Sequence, residues 1–208
     1  MDPIRTPATR PSQPRWVVAA WGSGGFLAVL WASELLDMLL GHRLDEEGIR
    51  PHSTEGLSGI LLAPLLHGDW AHLMANSVPV LLLSFLVLLS GVGVFVRATA
   101  VIWLLAGVGT WLFGGEGTIH LGASSLVFGW LTFLVLRGFF HRDGVQVLIG
   151  IGVLLAYGSM LLGVLPGTPG ISWQGHLFGA VGGAVAAWWG SGEARRERPQ
   201  PGYESYGL

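Results

Sequence analysis

The sequence predicts an all-α, polytopic membrane protein built as a bundle of six transmembrane helices. The chain has 208 residues, of which 51% are hydrophobic, and its mean hydropathy is +0.57. Only 12% of its residues are charged, whereas soluble domains carry about 25%. The apolar residues are gathered into stretches of about 20, which is the length that an α-helix needs to cross a bilayer.

Six apolar stretches have the length of a membrane span. The last two come from one run without charged residues, Gly144 to Gly192. The segment Pro166-Gly167-Thr168-Pro169-Gly170 divides that run, because its prolines and glycines force a turn. We therefore predict spans over residues 16–39, 72–92, 96–114, 123–140, 145–164 and 171–190.

The predicted membrane domain, residues 16–190, lies between two tails. Residues 1–15 are rich in proline and arginine and predict a disordered cytoplasmic tail, and residues 191–208 form a cytoplasmic C-terminal tail. Because no convincing cleavage site follows the uncharged stretch Trp16–Ser33, we interpret it as an uncleaved first span. The one long loop, about residues 42–71, should form short helices at the outer interface.

Arginine placement predicts the orientation, because cytoplasmic segments of membrane proteins carry an excess of basic residues. If the N-terminus is inside, cytoplasmic segments hold nine arginines and outer segments hold two, Arg43 and Arg50. Both termini are therefore predicted to be cytoplasmic, with the protein in the cell membrane. The inner arginines are Arg5, Arg10, Arg15, Arg97, Arg137, Arg142, Arg195, Arg196 and Arg198.

Composition also excludes several classes of ligand. The net charge of −2 provides no footprint for nucleic acid. The absence of cysteine excludes disulfides and thiolate metal sites. The histidines do not follow the HExxH spacing of a zinc protease, so we expect neither a metal nor a cofactor. The expected partner of the apolar helices is the lipid bilayer.

Polar residues share one depth in three of the predicted spans. The second, fourth and sixth spans run from outside to inside, and His72, Ser124 and His176 each lie near the start of one. At a helical rise of about 1.5 Å per residue, all three should lie within roughly 10 Å of the outer boundary. Polar groups are expensive inside a bilayer and are functional by default. A serine and a histidine at one depth suggest a nucleophile and its base.

Further donors are expected beside this pair. Ser124 follows Gly122 at the start of a helix, where the first backbone N–H groups have no partner within the helix. His72 and Asn76 are four residues apart and project from one helix face. Together with the Ser124 N–H they are candidates to hold a tetrahedral oxyanion.

Small residues predict how the histidine approaches the serine. Gly179 and Gly183 follow His176 at helical spacing, and Ser125 and Gly129 form a matching pair after Ser124. Because small residues four apart let membrane helices pack closely, contact between these two faces would bring His176 toward Ser124. No carboxylate is evident as a third member.

Three motifs in order resemble the rhomboid family of intramembrane serine proteases over about residues 60–190. The first, from His67 to Asn76, is similar to the motif of the family's second helix. The second is similar to the family's GxSG helix start, and the third to its AHxxGxxxG helix. In this sequence they read His67-Gly68-Asp69-Trp70-Ala71-His72-Leu73-Met74-Ala75-Asn76, Gly122-Ala123-Ser124-Ser125-Leu126-Val127-Phe128-Gly129 and Gly175-His176-Leu177-Phe178-Gly179, continuing to Gly183.

The resemblance implies Ser124 as the nucleophile, His176 as the general base, and His72 and Asn76 as oxyanion partners. Phe128 matches an aromatic ring that packs near the histidine, and the resemblance links His67 to the first loop and local structure. Ser125 stands where the family usually has glycine, and Gly175 where alanine is common. The candidate packing residues of the site are Gly122, Ser125, Phe128 and Gly179.

The predicted function is hydrolysis of a peptide bond in a single-pass or polytopic membrane protein, near the outer face, by a Ser-His dyad. Two other functions are weighed. A rhomboid-like protein that binds membrane clients without cutting them is favoured only by Ser125. A small transporter is disfavoured, because transporters place polar sites near the midplane and often contain inverted repeats, and no repeat is seen.

Overall fold

The computed structural model describes residues 13–167 and 170–196, with side chains described up to Ser191. Most of the two predicted tails therefore lies outside the described residues, as do Thr168 and Pro169 of the predicted turn. Within the described part, six long helices and one short one dominate. They are α1 (Arg15–Leu39), α2 (Gly59–Leu62), α3 (Trp70–Leu89), α4 (Val92–Phe113), α5 (Ser124–His141), α6 (Gly144–Tyr157, continued as a 3-10 helix over Gly158–Val164) and α7 (Trp173–Arg196).

The all-α class is confirmed, and the chain is a multi-pass membrane protein. The described residues form no strand; their one isolated β-bridge pairs Ile49 with His120. Helices α1, α3, α4 and α5, and α6 with its 3-10 continuation, are long and apolar enough to cross a membrane. The sixth long helix, α7, has 24 residues but is rich in glycine. It continues to Arg196, beyond the end near residue 190 that the apolar pattern predicts.

The outer loop contains short helical turns, as expected. Besides α2 it holds 3-10 turns over Leu44–Glu47, Thr54–Gly56 and Ala63–Leu65. Helix α4 anchors the loop: the Trp103 indole N–H donates to the Ile60 carbonyl at 2.9 Å. The Trp111 indole N–H donates likewise to the Ser53 carbonyl at 2.8 Å.

Helix α5 occupies the centre of the bundle and contacts α3, α4, α6 and α7. Its Trp130 is fully buried, and the indole N–H donates to the Thr99 hydroxyl of α4 at 3.0 Å. Satisfying this donor inside an apolar core avoids the cost of an unpaired buried polar group. The residue that opens this central helix is Ser124.

Glycines set the distance between α5 and α7. A Cβ added to Gly179 would collide with the Ser125 carbonyl, and one added to Gly183 would collide with the Gly129 carbonyl. The two helices therefore touch backbone to backbone along the predicted small-residue faces. Only residues without a side chain permit such an approach.

Gly183→Ala should destabilise the bundle, because its methyl group has no space against the Gly129 backbone. Overpacking of this kind costs about 1–3 kcal/mol. Thermal unfolding in detergent would measure the loss. Gly25→Ala is the matched control, since nothing lies within 4 Å of the added Cβ on α1. Equal unfolding midpoints for both variants would contradict the close contact.

His67, just before α3, makes the stability of the protein depend on pH. It is 1% exposed, and burial, with a smaller contribution from His72, lowers its pKa from 6.5 to about 4. The folded protein therefore holds His67 neutral, whereas the unfolded chain takes up a proton below pH 6.5. The contribution of His67 to the free energy of unfolding is therefore fully present above pH 6.5 and is lost as the pH falls toward 4.

His67→Gln should remove this part of the pH dependence. The interval between the two pKa values, from 6.5 to about 4, corresponds to roughly 3 kcal/mol. The free energy of unfolding, measured with denaturant in detergent, should fall more steeply with decreasing pH for the wild type than for the variant. His52→Gln, at an exposed histidine of the same loop, should keep the wild-type slope. Identical slopes for wild type and His67→Gln would exclude the assignment.

Candidate functional site

The starts of α3, α5 and α7 meet at the end of the bundle that carries the outer loop. Asp69 caps α3, its carboxylate accepting from the His72 backbone N–H at 2.7 Å. Ser172 precedes α7, and its hydroxyl accepts from the Gly175 N–H at 3.3 Å. The Gly122 N–H donates to the Ala63 carbonyl of the outer loop at 2.8 Å, which fixes the chain just before α5. These local caps hold the predicted polar residues at one level.

Ser124 and His176 are in direct contact. The distance from the serine Oγ to the histidine Nε2 is 2.9 Å, and the two residues lie 52 positions apart in the chain. Such a distance is that of a hydrogen bond between a nucleophile and a general base. The close α5–α7 packing is what brings the two side chains together.

A backbone carbonyl determines which nitrogen of His176 carries the proton. The Nδ1 atom lies 3.0 Å from the Gly163 carbonyl oxygen. Because a carbonyl oxygen only accepts hydrogen bonds, Nδ1 must donate, and the neutral ring then presents an unprotonated Nε2 to Ser124. The serine hydroxyl is consequently the donor in the Ser124–His176 bond, which is the arrangement a general base requires.

The histidine ring is further held by Phe128. The two rings are stacked, with centroids 4.0 Å apart and planes at 9°. His176 is 8% exposed and Phe128 is 3% exposed. Among the described residues no carboxylate contacts His176. Gly163 and Phe128 hold the His176 ring in place, a task that a carboxylate performs in the Ser-His-Asp triad of serine hydrolases.

His72 lies beside the start of the Ser124 helix, and Asn76 lies one turn further along α3. The His72 ring packs against Gly122, where an added Cβ would lie 2.6 Å from Cε1 and 2.8 Å from Nε2. Gly122 also has φ of +119°, a backbone conformation that favours glycine. Asn76 is 5% exposed, and its buried Nδ2 has no hydrogen-bond partner within the described residues. Such an unsatisfied buried donor is unusual and needs an explanation.

His67 supports both sides of this arrangement. Its Nε2 accepts a long hydrogen bond of 3.4 Å from the Ala123 N–H, directly before Ser124. Its ring also meets the His72 ring edge-on, with centroids 5.1 Å apart. Kept neutral by burial, as shown above, it acts as an acceptor and spacer between α3 and α5.

His120 and Ser172 form a connection that the sequence did not reveal. The His120 Nδ1 lies 2.7 Å from the Ser172 hydroxyl, and its Nε2 lies 2.8 Å from the Thr118 hydroxyl. Burial lowers the pKa of His120, so the ring favours the neutral form. This network joins the loop before α5 to the residue that caps α7. Neither residue lies in one of the three motifs, so no sequence signal connected the two positions.

Ser125 lies beside Ser124, but within the described residues only Ser124 is hydrogen-bonded to His176. It lines a narrow cavity of about 20 Å³ together with Ser124, His120 and Ser172. Its backbone carbonyl faces Gly179, as described above. A much larger cavity, about 440 Å³, lies near the opposite ends of α4 and α5, where Arg97 and Arg137 line it. It contains none of the predicted site residues.

Comparison with known proteins identifies the family. A family model described as the Rhomboid domain matches residues 54–193. An uncharacterized protein of Mycobacterium tuberculosis (strain H37Rv) is 51% identical over 203 residues, covering 93% of this chain and 85% of that protein. An uncharacterized protein of Mycobacterium leprae is 46% identical over 192 residues, covering 88% of this chain and 76% of that protein. The chain therefore belongs to the rhomboid family.

Proposed function

We propose that this protein is an intramembrane serine endopeptidase that cleaves transmembrane-helix substrates near the outer face with a Ser124–His176 dyad. The observation that carries the proposal is the hydrogen-bond relay from Ser124 Oγ through His176 to the Gly163 carbonyl, with distances of 2.9 and 3.0 Å. Family membership supports the same class of reaction.

In the proposed first step, His176 Nε2 takes the hydroxyl proton as Ser124 Oγ attacks the scissile carbonyl carbon. The carbonyl π electrons move to oxygen and form a tetrahedral oxyanion. His176 then returns the proton to the leaving amine, the C–N bond breaks, and an acyl-enzyme remains. Water, deprotonated by His176, hydrolyses that ester and regenerates Ser124.

Three donors are proposed for the oxyanion: the Ser124 backbone N–H, His72 and Asn76. The unpartnered Nδ2 of Asn76 is consistent with this role, because an oxyanion donor is needed only when charge develops. A preorganised donor of this kind stabilises the transition state more than the substrate. The free energy lost by leaving the Asn76 donor unpaired in the resting protein is then the cost of having it in place before the transition state forms.

The proposed substrates are single-pass or polytopic membrane proteins, because the site lies on bilayer-spanning helices. A helix hides its peptide bonds, so residues that weaken the substrate helix near its outer end should favour cleavage. The arginine bias supports cytoplasmic termini and a cell-membrane location. A membrane domain over residues 16–190, with tails at 1–15 and 191–208, belongs to the same proposal, and neither a metal nor another cofactor takes part in the chemistry.

The second candidate is a rhomboid-like protein that binds clients without cutting them. Ser125 favours it, because its hydroxyl lies beside the nucleophile where family members usually have glycine. The intact Ser124–His176 contact favours the protease.

Labelling by a serine-directed fluorophosphonate distinguishes the two. We expect the purified protein to be labelled, Ser124→Ala to lose the label, and Ser125→Ala to keep it. Cleavage of a transmembrane substrate should fall at least about 1,000-fold in Ser124→Ala, since a lost nucleophile is not replaced. A folded wild type that resists labelling, with labelling restored by Ser125→Gly, would favour the client-binding protein instead.

Asn76→Ala tests the oxyanion assignment. We expect kcat to fall about 100- to 1,000-fold, with little change in KM, because the missing interaction belongs to the transition state. The measurement is steady-state cleavage of a fluorogenic transmembrane peptide in proteoliposomes. Ser77→Ala, on the same helix and hydrogen-bonded to the Leu73 carbonyl, is the control. A raised KM with unchanged kcat would assign Asn76 to substrate binding.

A further inference from the structure

A second cluster of chemically active groups lies at the outer end of α1, apart from the proposed catalytic residues. It consists of Asp37, His42 and Asp45, whose ligand atoms all lie within 4.8 Å of one another. The His42 Nδ1 is 3.2 Å from an Asp37 oxygen and 3.9 Å from an Asp45 oxygen. Ligand atoms around one tetrahedral metal ion are about 3.4 Å apart when the bonds are about 2.1 Å long. The spacing therefore fits a shared cation.

Glu34 provides an independent sign that this cluster has a ligand. The side chain is 1% exposed, and neither carboxylate oxygen has a hydrogen-bond partner within the described residues. Glu34 lies three residues before Asp37 on the same helix face. The charged groups that act on its carboxylate are, in order of strength, Asp45, Asp37 and His42. A buried carboxylate close to two others is unfavourable unless a proton neutralises it or a cation compensates its charge.

The surrounding backbone holds the ligands in place. One oxygen of Asp37 accepts the Leu44 N–H at 2.6 Å, which leaves its other oxygen toward His42. Gly41 and His42 both have left-handed backbone conformations, with φ of +69° and +61°. This reversal returns the chain to the end of α1. The Asp45 Oδ1 is buried and likewise has no partner among the described residues.

We propose that Asp37, His42 and Asp45 bind a divalent transition-metal cation of the Zn²⁺ or Mn²⁺ type, whose charge also compensates the buried Glu34 carboxylate beside them. Carboxylate oxygens suit hard cations and an imidazole nitrogen suits zinc and its neighbours, so a mixed set favours these ions over Mg²⁺. The ion would join the end of α1 to the start of the outer loop. This site is distinct from the proposed dyad and does not depend on it.

A proton would compete with the cation for the carboxylates of this cluster. In a cluster without metal, a proton on one of the carboxylates would relieve the repulsion between them. A bound cation would instead keep the carboxylates ionised. The two possibilities differ in the response to added metal at constant pH.

The test uses the full-length chain, free of any affinity tag, purified in detergent and stripped with EDTA. Zn²⁺ or Mn²⁺ is added, and bound metal per chain and the thermal midpoint are measured. We expect one equivalent of bound ion and a raised midpoint. Glu34→Gln and Asp45→Asn should each weaken binding at least about 10-fold. Glu46→Gln, an exposed neighbour in the loop, should bind like the wild type.

Two further measurements distinguish loss of the cation site from loss of folding. Without metal, Glu34→Gln should unfold at or above the wild-type midpoint, because it removes an uncompensated buried charge. Fluorophosphonate labelling of Ser124 follows the catalytic site separately. Absence of metal binding, equal binding by all variants, or a metal-insensitive midpoint that rises only as the pH falls would overturn the cation site.

Discussion

The backbone contact between α5 and α7 is the constraint on which the rest of the site depends. Gly179 and Gly183 place α7 directly against the carbonyls of Ser125 and Gly129. Packing alone, rather than a hydrophobic driving force, associates helices in a bilayer, so close approach is what stabilises this pair. The same approach sets the 2.9 Å separation of Ser124 and His176. One interface therefore serves both stability and site geometry.

Backbone groups then perform tasks that side chains perform in many soluble hydrolases. The Gly163 carbonyl fixes the tautomer of His176, and Gly163 itself leaves room for the ring, since an added Cβ would lie 3.2 Å from Nδ1 and 2.9 Å from the Phe128 ring. A buried carboxylate at this depth would carry a large desolvation cost. A carbonyl dipole orients the imidazole without that cost. The proposed dyad would thus need less desolvation than a triad with a buried carboxylate.

The sequence predicted the features that are local in the chain. Apolar length predicted the long helices to within a few residues, and the motifs named Ser124, His176, His72 and Asn76 as candidates, of which Ser124 and His176 are in contact. Three features escaped prediction for physical reasons. The Gly163 carbonyl carries no side-chain signal, and the His120–Ser172 bond joins two residues outside the motifs. Helix α7 runs past residue 190 because Glu193, Ala194, Arg195 and Arg196 are good helix formers although they end the apolar stretch.

The outer loop connects the α1 cluster to the proposed site. Asp69 caps α3 and so positions His72, and its carboxylate is also among the charges that act on Glu34 and Asp45. Elsewhere the loop pairs Ile49 with His120 and supplies the Ala63 carbonyl to Gly122. Asp69 therefore belongs both to the cap that positions His72 and to the charges around the α1 cluster, so the loop physically connects the two places. A cation bound at the cluster would reduce the net negative charge beside this cap.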